Sequence, residues 1–243
     1  MRGIPALALA AALAGCVTIA PSSIGTFTGV LPCADCAGIL SELHLYTEQG
    51  RPRNYELMET FMGTRDGDRS IGTAGRWTTL RGSAADPDAT VIQIDLGRID
   101  ALRNFRRIGD NELRLLDRKL NDIVSPAPRS LYRVSELPPA TLVETDSGRT
   151  IEVERGQRVY VVLAGNRTTG YDWALDASGA DVLASLGGPI FAQTADLAGS
   201  GGTAIWFFAA ARSGKQDLRF HYRRPFGESS LAVKSVTFSV AVR

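Results

Sequence analysis

The chain has 243 residues, of which 44% are hydrophobic and 22% charged, and its formal net charge is +1. This is ordinary globular composition, long enough for one large domain or two small ones. A nucleic-acid partner requires a clustered basic face, so the near-zero charge argues against such a partner. No apolar run reaches the roughly 18 to 20 residues that a membrane-spanning helix needs.

The N-terminal stretch MRGIPALALAAALAGC has the pattern of an export leader. One basic residue, Arg2, precedes a short apolar run that ends in small residues. This pattern predicts a signal peptide over residues 1–15. The ending LAGC resembles the lipobox of bacterial lipoproteins, which implies cleavage before Cys16 and acylation of that cysteine. The alternative is an ordinary signal cut near Ala20, which would leave no anchor.

The number of cysteines fits the lipoprotein interpretation. The chain has three, and an odd cysteine in an exported protein needs an explanation. Cys33 and Cys36 are close enough in sequence to pair, and lipidation accounts for Cys16. Several acyl chains, at about 0.8 kcal/mol per buried methylene, would hold the protein to a membrane. Val17 follows Cys16 where the lipoprotein sorting pattern would place Asp to retain a protein at the inner membrane. By that resemblance we expect an outer-membrane anchor with the protein facing the periplasm.

Two all-β domains are predicted beyond this leader. Residues 16–24 are small and polar enough to serve as a tether. Residues 25–135 contain short alternating runs such as ELHLYTEQG, RNYELMETFMG, TVIQIDLG and SLYRV, separated by Gly, Asp and Asn. Such strands at close spacing predict a small antiparallel β-barrel.

A proline pair marks the domain boundary. Pro138 and Pro139 in SELPPATL cannot donate hydrogen bonds to a central sheet. Residues 141–243 then resume with strand-like runs, among them RVYVVLAG, TAIWFFAAA and SVTFSVAVR, which predict an immunoglobulin-like β-sandwich. DALRN and ADVLASL are candidates for a turn or two of helix. We expect mild proteolysis near residues 135–141 to separate the two halves.

The stretch GVLPCADCAGI allows three interpretations of Cys33 and Cys36. A redox CxxC motif normally opens a helix that lowers the thiol pKa, but the residues that follow predict a strand. Metal binding would combine the two thiolates with His44 and with Met58 or Met62, which are soft ligands suited to Cu(I). A structural disulfide closing a tight loop is the interpretation that an oxidising periplasm favours. No other cofactor is expected.

The first half resembles a known lipoprotein family. FTGVLPCADCAGILSELHLY, followed in order by TAGRWT, LRLLDRKLNDI and SLYRV, resembles the N-terminal domain of NlpE-type copper-homeostasis lipoproteins. That family is linked to envelope stress, surface sensing and copper tolerance. The resemblance therefore implies a sensory or structural domain, with an envelope-stress signalling protein as a possible partner.

Three stretches of the second half have the composition of functional loops. They are NRTTGYDW, GSGG before an aromatic strand, and RRPFG after the strand LRFHY. Each alone is compatible with an ordinary turn. Together and in this order they resemble the chagasin family of cysteine-peptidase inhibitors, in which an Asn-Pro-Thr-Thr-Gly-aromatic loop, a Gly-x-Gly-Gly loop and an Arg-Pro-aromatic loop enter the peptidase cleft as a wedge.

The resemblance implies a papain-like cysteine peptidase as partner, and it identifies twelve candidate binding residues. They are Asn166, Arg167, Thr168, Thr169, Gly170, Tyr171, Gly199, Gly201, Gly202, Arg224, Pro225 and Phe226. β-Branched threonines would stiffen the first loop, and a stiff loop loses little entropy on binding. Gly170 permits a backbone angle that a side chain would forbid. Trp173 alternates onto the strand, so we expect it in the core.

The chain departs from the chagasin pattern at Arg167, where the family has proline. Loss of the fixed proline angle would cost about 0.4 to 1 kcal/mol of preorganisation. Arg167 could offset that loss through a contact of its own with an acidic cleft.

We predict that the chain is not an enzyme. Its two histidines, His44 and His221, fall in different halves, each inside an alternating strand and without a recognisable nucleophile motif. Two functions stay open. The first is a lipid-anchored inhibitor of papain-like peptidases, and the second is an envelope-stress or copper-homeostasis sensor in which the sandwich serves only for protein interaction.

Overall fold

The regular secondary structure of the described residues is almost entirely β-strand, as the sequence predicts. The fold is that of a computed structural model, which describes residues 22–97, 101–124, 127–178, 182–193, 199–225 and 231–243. Among these residues no helix is long and apolar enough to cross a membrane. The leader and Cys16 lie outside the described residues, so lipidation stays a prediction.

Nine antiparallel strands form one continuous sheet in the first half, in the order β4-β3-β2-β1-β9-β8-β7-β6-β5. The strands are β1 (Ser22–Leu31), β2 (Gly38–Glu48), β3 (Arg51–Met62), β4 (Arg69–Arg76), β5 (Thr78–Arg81), β6 (Thr90–Ile94), β7 (Arg103–Ile108), β8 (Glu112–Leu116) and β9 (Ser130–Val134).

This sheet curls around its own apolar face. Phe27, Leu57, Trp77 and Phe105 come from distant positions in the sheet, yet they pack in one buried cluster. Alternate residues of a strand point to opposite faces, so the predicted alternation supplies this core. In the described residues the edge strands β4 and β5 are not joined by a ladder. The predicted barrel is therefore a half-barrel.

Two four-stranded sheets form the second half, as predicted for a sandwich. Their orders are β10-β12-β15-β14 and β11-β17-β16-β13. The strands are β10 (Ala140–Val143), β11 (Thr150–Val153), β12 (Arg158–Gly165), β13 (Asp172–Ser178), β14 (Leu183–Gln193), β15 (Gly202–Ala210), β16 (Gly214–Arg223) and β17 (Lys234–Val242). Trp206, Phe220 and Phe238 pack edge to face between the sheets, and Trp173 is buried there as expected.

The two candidate helical turns are absent from the described residues. Arg103 and Asn104 of DALRN begin β7, and the described end of ADVLASL lies in β14. Asn104 and Leu186 are both buried in the sheets. Tertiary pairing therefore overrides the weak local helical preference of these segments.

The two halves share a third buried core, which the sequence analysis did not anticipate. Val30, Met62 and Val134 of the half-barrel pack against residues of β14 and β15 in the sandwich, namely Leu186, Ile190, Phe207 and Ala209. Gly187 allows this approach, because a Cβ atom there would lie 2.8 Å from the Val30 side chain. An ion pair between Glu42 and Arg158 also joins the halves.

Strands β1 and β14 run in the same direction along this shared core. Val134, which pairs with Thr26 early in β1, lines a groove with Ala184 near the start of β14. Gly38 begins β2 next to the end of β1, and its Cβ position lies 3.0 Å from Ile190, further along β14. The loop of residues 32–37, which connects β1 to β2, therefore lies beside the last residues of β14. We call this side of the half-barrel the disulfide end.

The connection between the halves is short. The half-barrel ends at Val134 and β10 begins at Ala140. The Ser135 amide donates to the Gly156 carbonyl at 2.8 Å, and the Gln157 side chain donates to the Pro138 carbonyl at 2.9 Å. The predicted domain boundaries stay predictions, but the connection itself is held against the sandwich.

Candidate functional site

The three predicted loops meet at one end of the sandwich, which we call the loop end. It consists of residues 166–171, 199–202 and 223–225. Gly202 pairs with Gly165 and with Gln193, and Arg223 pairs with Asp172, so the strand ends that carry the loops lie side by side. Phe226 and residues 194–198 lie outside the described residues, and the candidate role of Phe226 stays a prediction.

The first loop is a hydrogen-bonded turn. Residues Arg167–Thr169 form one turn of 3-10 helix, and the Asn166 side chain caps it by accepting from the Thr168 amide at 3.0 Å and from its hydroxyl at 2.6 Å. The Thr169 hydroxyl donates to the Asn166 carbonyl at 2.6 Å. Gly170 closes the turn at a φ of 78°, a left-handed angle that favours glycine. Both threonines therefore stabilise the turn by their hydroxyls as well as by β-branching.

Arg167 folds back onto the sandwich. Its Nε atom lies 3.0 Å from an oxygen of Asp172, and its guanidinium lies 4.5 Å from the ring centroid of Phe191. Arg167 therefore contacts residues of its own sandwich. The contact considered from the sequence was one with the acidic cleft of a peptidase. Arg167 thus links the first loop to the ends of β13 and β14.

Tyr222 supports the loop end from beneath, and the sequence analysis missed it. Its hydroxyl accepts from the Asn166 amide at 2.8 Å and donates to the Asn166 carbonyl at 3.1 Å. Its ring stacks on Tyr171 and packs against Trp173. In the sequence, Tyr222 is recognisable only as an aromatic residue two positions before Arg224. Its contacts with the first loop become evident only from the pairing of β13 with β16.

The second and third loops also contact the first. The Asn166 side chain donates to the Gly199 carbonyl at 3.1 Å, and the Arg224 guanidinium lies 5.0 Å from the Tyr171 ring centroid. Pro225 is exposed. Gly202 differs from the other candidate residues because it is buried as the first residue of β15, where a Cβ atom would meet the Phe191 ring at 2.6 Å. Its position indicates a packing role.

The chemistry of the loop end suits binding. The polar and aromatic side chains of its described residues are amide, hydroxyl, guanidinium and phenol groups, around a turn in which the amides of Thr168, Thr169 and Gly170 already donate hydrogen bonds. His221 bonds Ser235 on the sheet face, and His44 lies in the other half, bonded to Thr26 and Glu42. A prearranged turn with little freedom to lose is what a tight binding surface requires.

Cys33 and Cys36 form a disulfide at the disulfide end, as the favoured interpretation predicts. Met62 is buried in the shared core, and His44 is held by its two hydrogen bonds. Among the described residues no group of three or more His, Cys, Asp or Glu side chains is placed to hold a metal ion. The oxidised structure thus does not gather the predicted copper ligands, and copper binding stays a prediction for the reduced protein.

The fold and the loop end define an all-β protein of two joined parts, one of which brings three loops together at one end. Residues 27–126 match the family model of the NlpE N-terminal domain, and residues 152–242 match that of the chagasin family of peptidase inhibitors, I42. Both predicted resemblances are thereby confirmed. The second match identifies the sandwich as similar to a peptidase inhibitor, which confirms the prediction that the chain is not an enzyme.

Solved structures with similarity to the chain come from both groups. The cysteine protease inhibitor EhICP2 of Entamoeba histolytica is 19% identical, with 43% of this chain and 95% of that chain covered at a TM-score of 0.37. Amebosin is 26% identical, and the match covers 44% of this chain and 99% of amebosin at a TM-score of 0.37. The Cpx pathway activator NlpE of Escherichia coli is 20% identical, and the match covers 88% of this chain and 91% of that chain at a TM-score of 0.30. No curated protein matches the chain.

Proposed function

We propose that this protein is a lipid-anchored, periplasm-facing inhibitor of papain-like cysteine peptidases that acts through the loop end. The observation that carries the proposal is the preformed turn at Asn166–Gly170, within a region that matches the chagasin family model. The turn places Thr168 and Thr169 at its exposed tip, flanked by Tyr171 and Arg224. A peptidase cleft would meet a closed turn, which does not offer the extended backbone of a substrate.

Inhibition of papain by the purified mature chain tests this proposal. We expect reversible inhibition without cleavage and without a covalent adduct, read from progress curves and intact mass. Replacing both Thr168 and Thr169 by Gly removes the side-chain contacts and two hydroxyls that hold the turn. Affinity should then fall tenfold or more, about 1.4 kcal/mol.

The matched control exchanges Thr79 and Thr90, exposed threonines of the half-barrel, for Gly, and affinity should not change. Circular dichroism checks that both variants keep the fold. Absence of inhibition by the parent chain at micromolar concentration, across several papain-like enzymes, would refute the inhibitor proposal.

A sensing role is the second candidate, favoured by the match of residues 27–126 to the NlpE N-terminal domain model. In that case the sandwich would serve as a protein-interaction module on an envelope-stress or copper-homeostasis lipoprotein. The papain assay separates the candidates, because a sensor of this kind need not inhibit any peptidase.

A further inference from the structure

A groove opens at the disulfide end of the half-barrel. It has a volume of about 750 Å³ and lies between the Cys33–Cys36 loop and the turn of residues 63–68 that connects β3 to β4. Its apolar lining includes Ile39, Phe61 and Ile71, of which Ile71 is 36% exposed. Charged residues of both signs line the same groove, namely Asp35, Arg65, Asp66, Asp68 and Arg69. Protein-binding surfaces likewise combine apolar side chains with polar and charged ones.

The groove adjoins the loop end. The Cβ position of Gly63 lies 3.5 Å from the carbonyl oxygen of Phe191. The ring of the same Phe191 lies beneath the Arg167 guanidinium at 4.5 Å. A single residue of β14 therefore separates the half-barrel turn from the first loop of the sandwich.

Both walls of the groove are prearranged. The Cys33–Cys36 disulfide closes one loop. In the other, the Asp68 carboxylate accepts from the Gly63 amide at 2.8 Å, and the Thr64 hydroxyl donates to the Gly67 carbonyl. The shared core fixes this end of the half-barrel against β14. A partner that engages the groove would therefore order little of it on binding.

We infer that the disulfide end is a second part of the peptidase-binding surface, so that one peptidase contacts the loop end and the groove together. This inference rests on the proposed function. A standard protein interface buries roughly 800 Å² on each partner, a patch about 30 Å across, so a peptidase seated on the loop end also reaches the surface that adjoins it. Beyond Phe191 that adjoining surface is the turn of residues 63–68.

Site-specific photocrosslinking tests the inference on the full mature chain with papain as the probe. A benzophenone amino acid replaces Asp66 in the turn after β3, at the disulfide end, or, as the control, Arg51 at the opposite end of β3. Both positions are exposed. We expect an adduct with papain from position 66 in several-fold greater yield than from position 51. With papain near the dissociation constant of the parent chain, the Thr168→Gly and Thr169→Gly exchanges should lower the adduct yield several-fold, because the loops bring the peptidase to the groove.

Papain inhibition by each labelled variant is measured in parallel, and retained inhibition shows that the variant is folded. Equal or absent crosslinking from positions 66 and 51, with inhibition retained, would overturn the groove inference and leave the inhibitor proposal intact. A parent chain that does not inhibit papain would refute the proposed function instead.

Discussion

Arg167 shows how a single side chain can provide the constraint that proline provides by its ring. The proline angle contributes about 0.4 to 1 kcal/mol of preorganisation. A cation–π contact at an exposed site contributes about 0.5 to 1 kcal/mol, and a surface ion pair about 0 to 1 kcal/mol. Arg167 makes one contact of each kind, with Phe191 and Asp172. The two Arg167 contacts therefore contribute a free energy similar to that of the proline angle. The presence of Arg167 in place of the chagasin proline is thus compatible with a rigid loop.

The Tyr222 hydroxyl provides a sharper test of rigidity at the residue scale. Tyr222→Phe leaves the partly buried Asn166 amide without its partner and removes one of the donors to the Asn166 carbonyl, which costs about 1 to 3 kcal/mol in free energy of unfolding. We expect that loss in urea denaturation, together with weaker papain inhibition.

Tyr171→Phe is the matched control for this prediction. Its ring stacks on the same Tyr222, and in the described residues its hydroxyl makes no hydrogen bond. Its unfolding free energy should change little. Equal stability of Tyr222→Phe and the parent chain would contradict the supporting role assigned to Tyr222.

At the scale of elements, polar contacts cross the interior of the half-barrel. Arg103 at the start of β7 forms a two-pronged ion pair with Glu59 of β3, at 2.7 and 2.8 Å. The hydroxyl of Tyr55, also on β3, donates to Asp95 after β6 at 2.5 Å. Both contacts link strands that lie far apart in the order of the sheet, so they help to hold its curl.

The Tyr55 contact predicts a specific loss of stability at alkaline pH. Burial, and then the hydrogen bond to Asp95, raise the pKa of Tyr55 from 10.0 to about 12. The folded state thus favours the neutral phenol. This contribution is fully present below pH 10 and is lost as the pH rises through 12. A two-unit shift corresponds to about 2 to 3 kcal/mol.

Urea denaturation between pH 9 and pH 12 measures this effect. Tyr55→Phe should be less stable than the parent at pH 9, and the difference should shrink as the pH rises. Other tyrosines titrate in both proteins, so the difference isolates Tyr55. A constant difference across this range would show that the Tyr55 phenol does not contribute in this way.

The sequence predicted the elements better than their associations. Alternation in ELHLYTEQG and RVYVVLAG sufficed to predict strands and their buried faces, and the loop end was implied by the resemblance of three ordered loops to the chagasin pattern. The segment LASLGGPIFAQ was not predicted as a strand, because two glycines and a proline interrupt its pattern. Leu186 and Ile190 of this strand pack against the half-barrel. When one face of a strand packs against another domain, the alternation of apolar and polar residues within that strand does not reveal the contact.

At the scale of the whole molecule, this shared core changes the expected result of proteolysis. Cutting at a specific protease site inserted between Glu136 and Leu137 should leave the two pieces associated, eluting together in size-exclusion chromatography. The proline pair at this boundary predicts separation instead. Ile190→Asp, which places a carboxylate in the shared core, should cause the cut pieces to separate.

Leu80→Asp is the control for the proteolysis experiment, because Leu80 is 39% exposed on an edge strand of the half-barrel. Its cut pieces should stay together. Separation of the parent pieces at micromolar concentration would show that the shared core is too weak to hold the halves without a covalent link.

Because β1 and β14 run in the same direction, the loop end lies far from the proposed lipid anchor. Strand β1 begins at Ser22, the described residue nearest the proposed anchor, and its ten residues extend about 30 Å towards the disulfide end. The loop end lies on that same far side. With Cys16 lipidated and β1 directed away from the membrane, a peptidase at the loops would be held several Debye lengths, of about 8 Å each, above the charged lipid headgroups. Capture of the peptidase would then be insensitive to the lipid composition of the membrane that carries the protein.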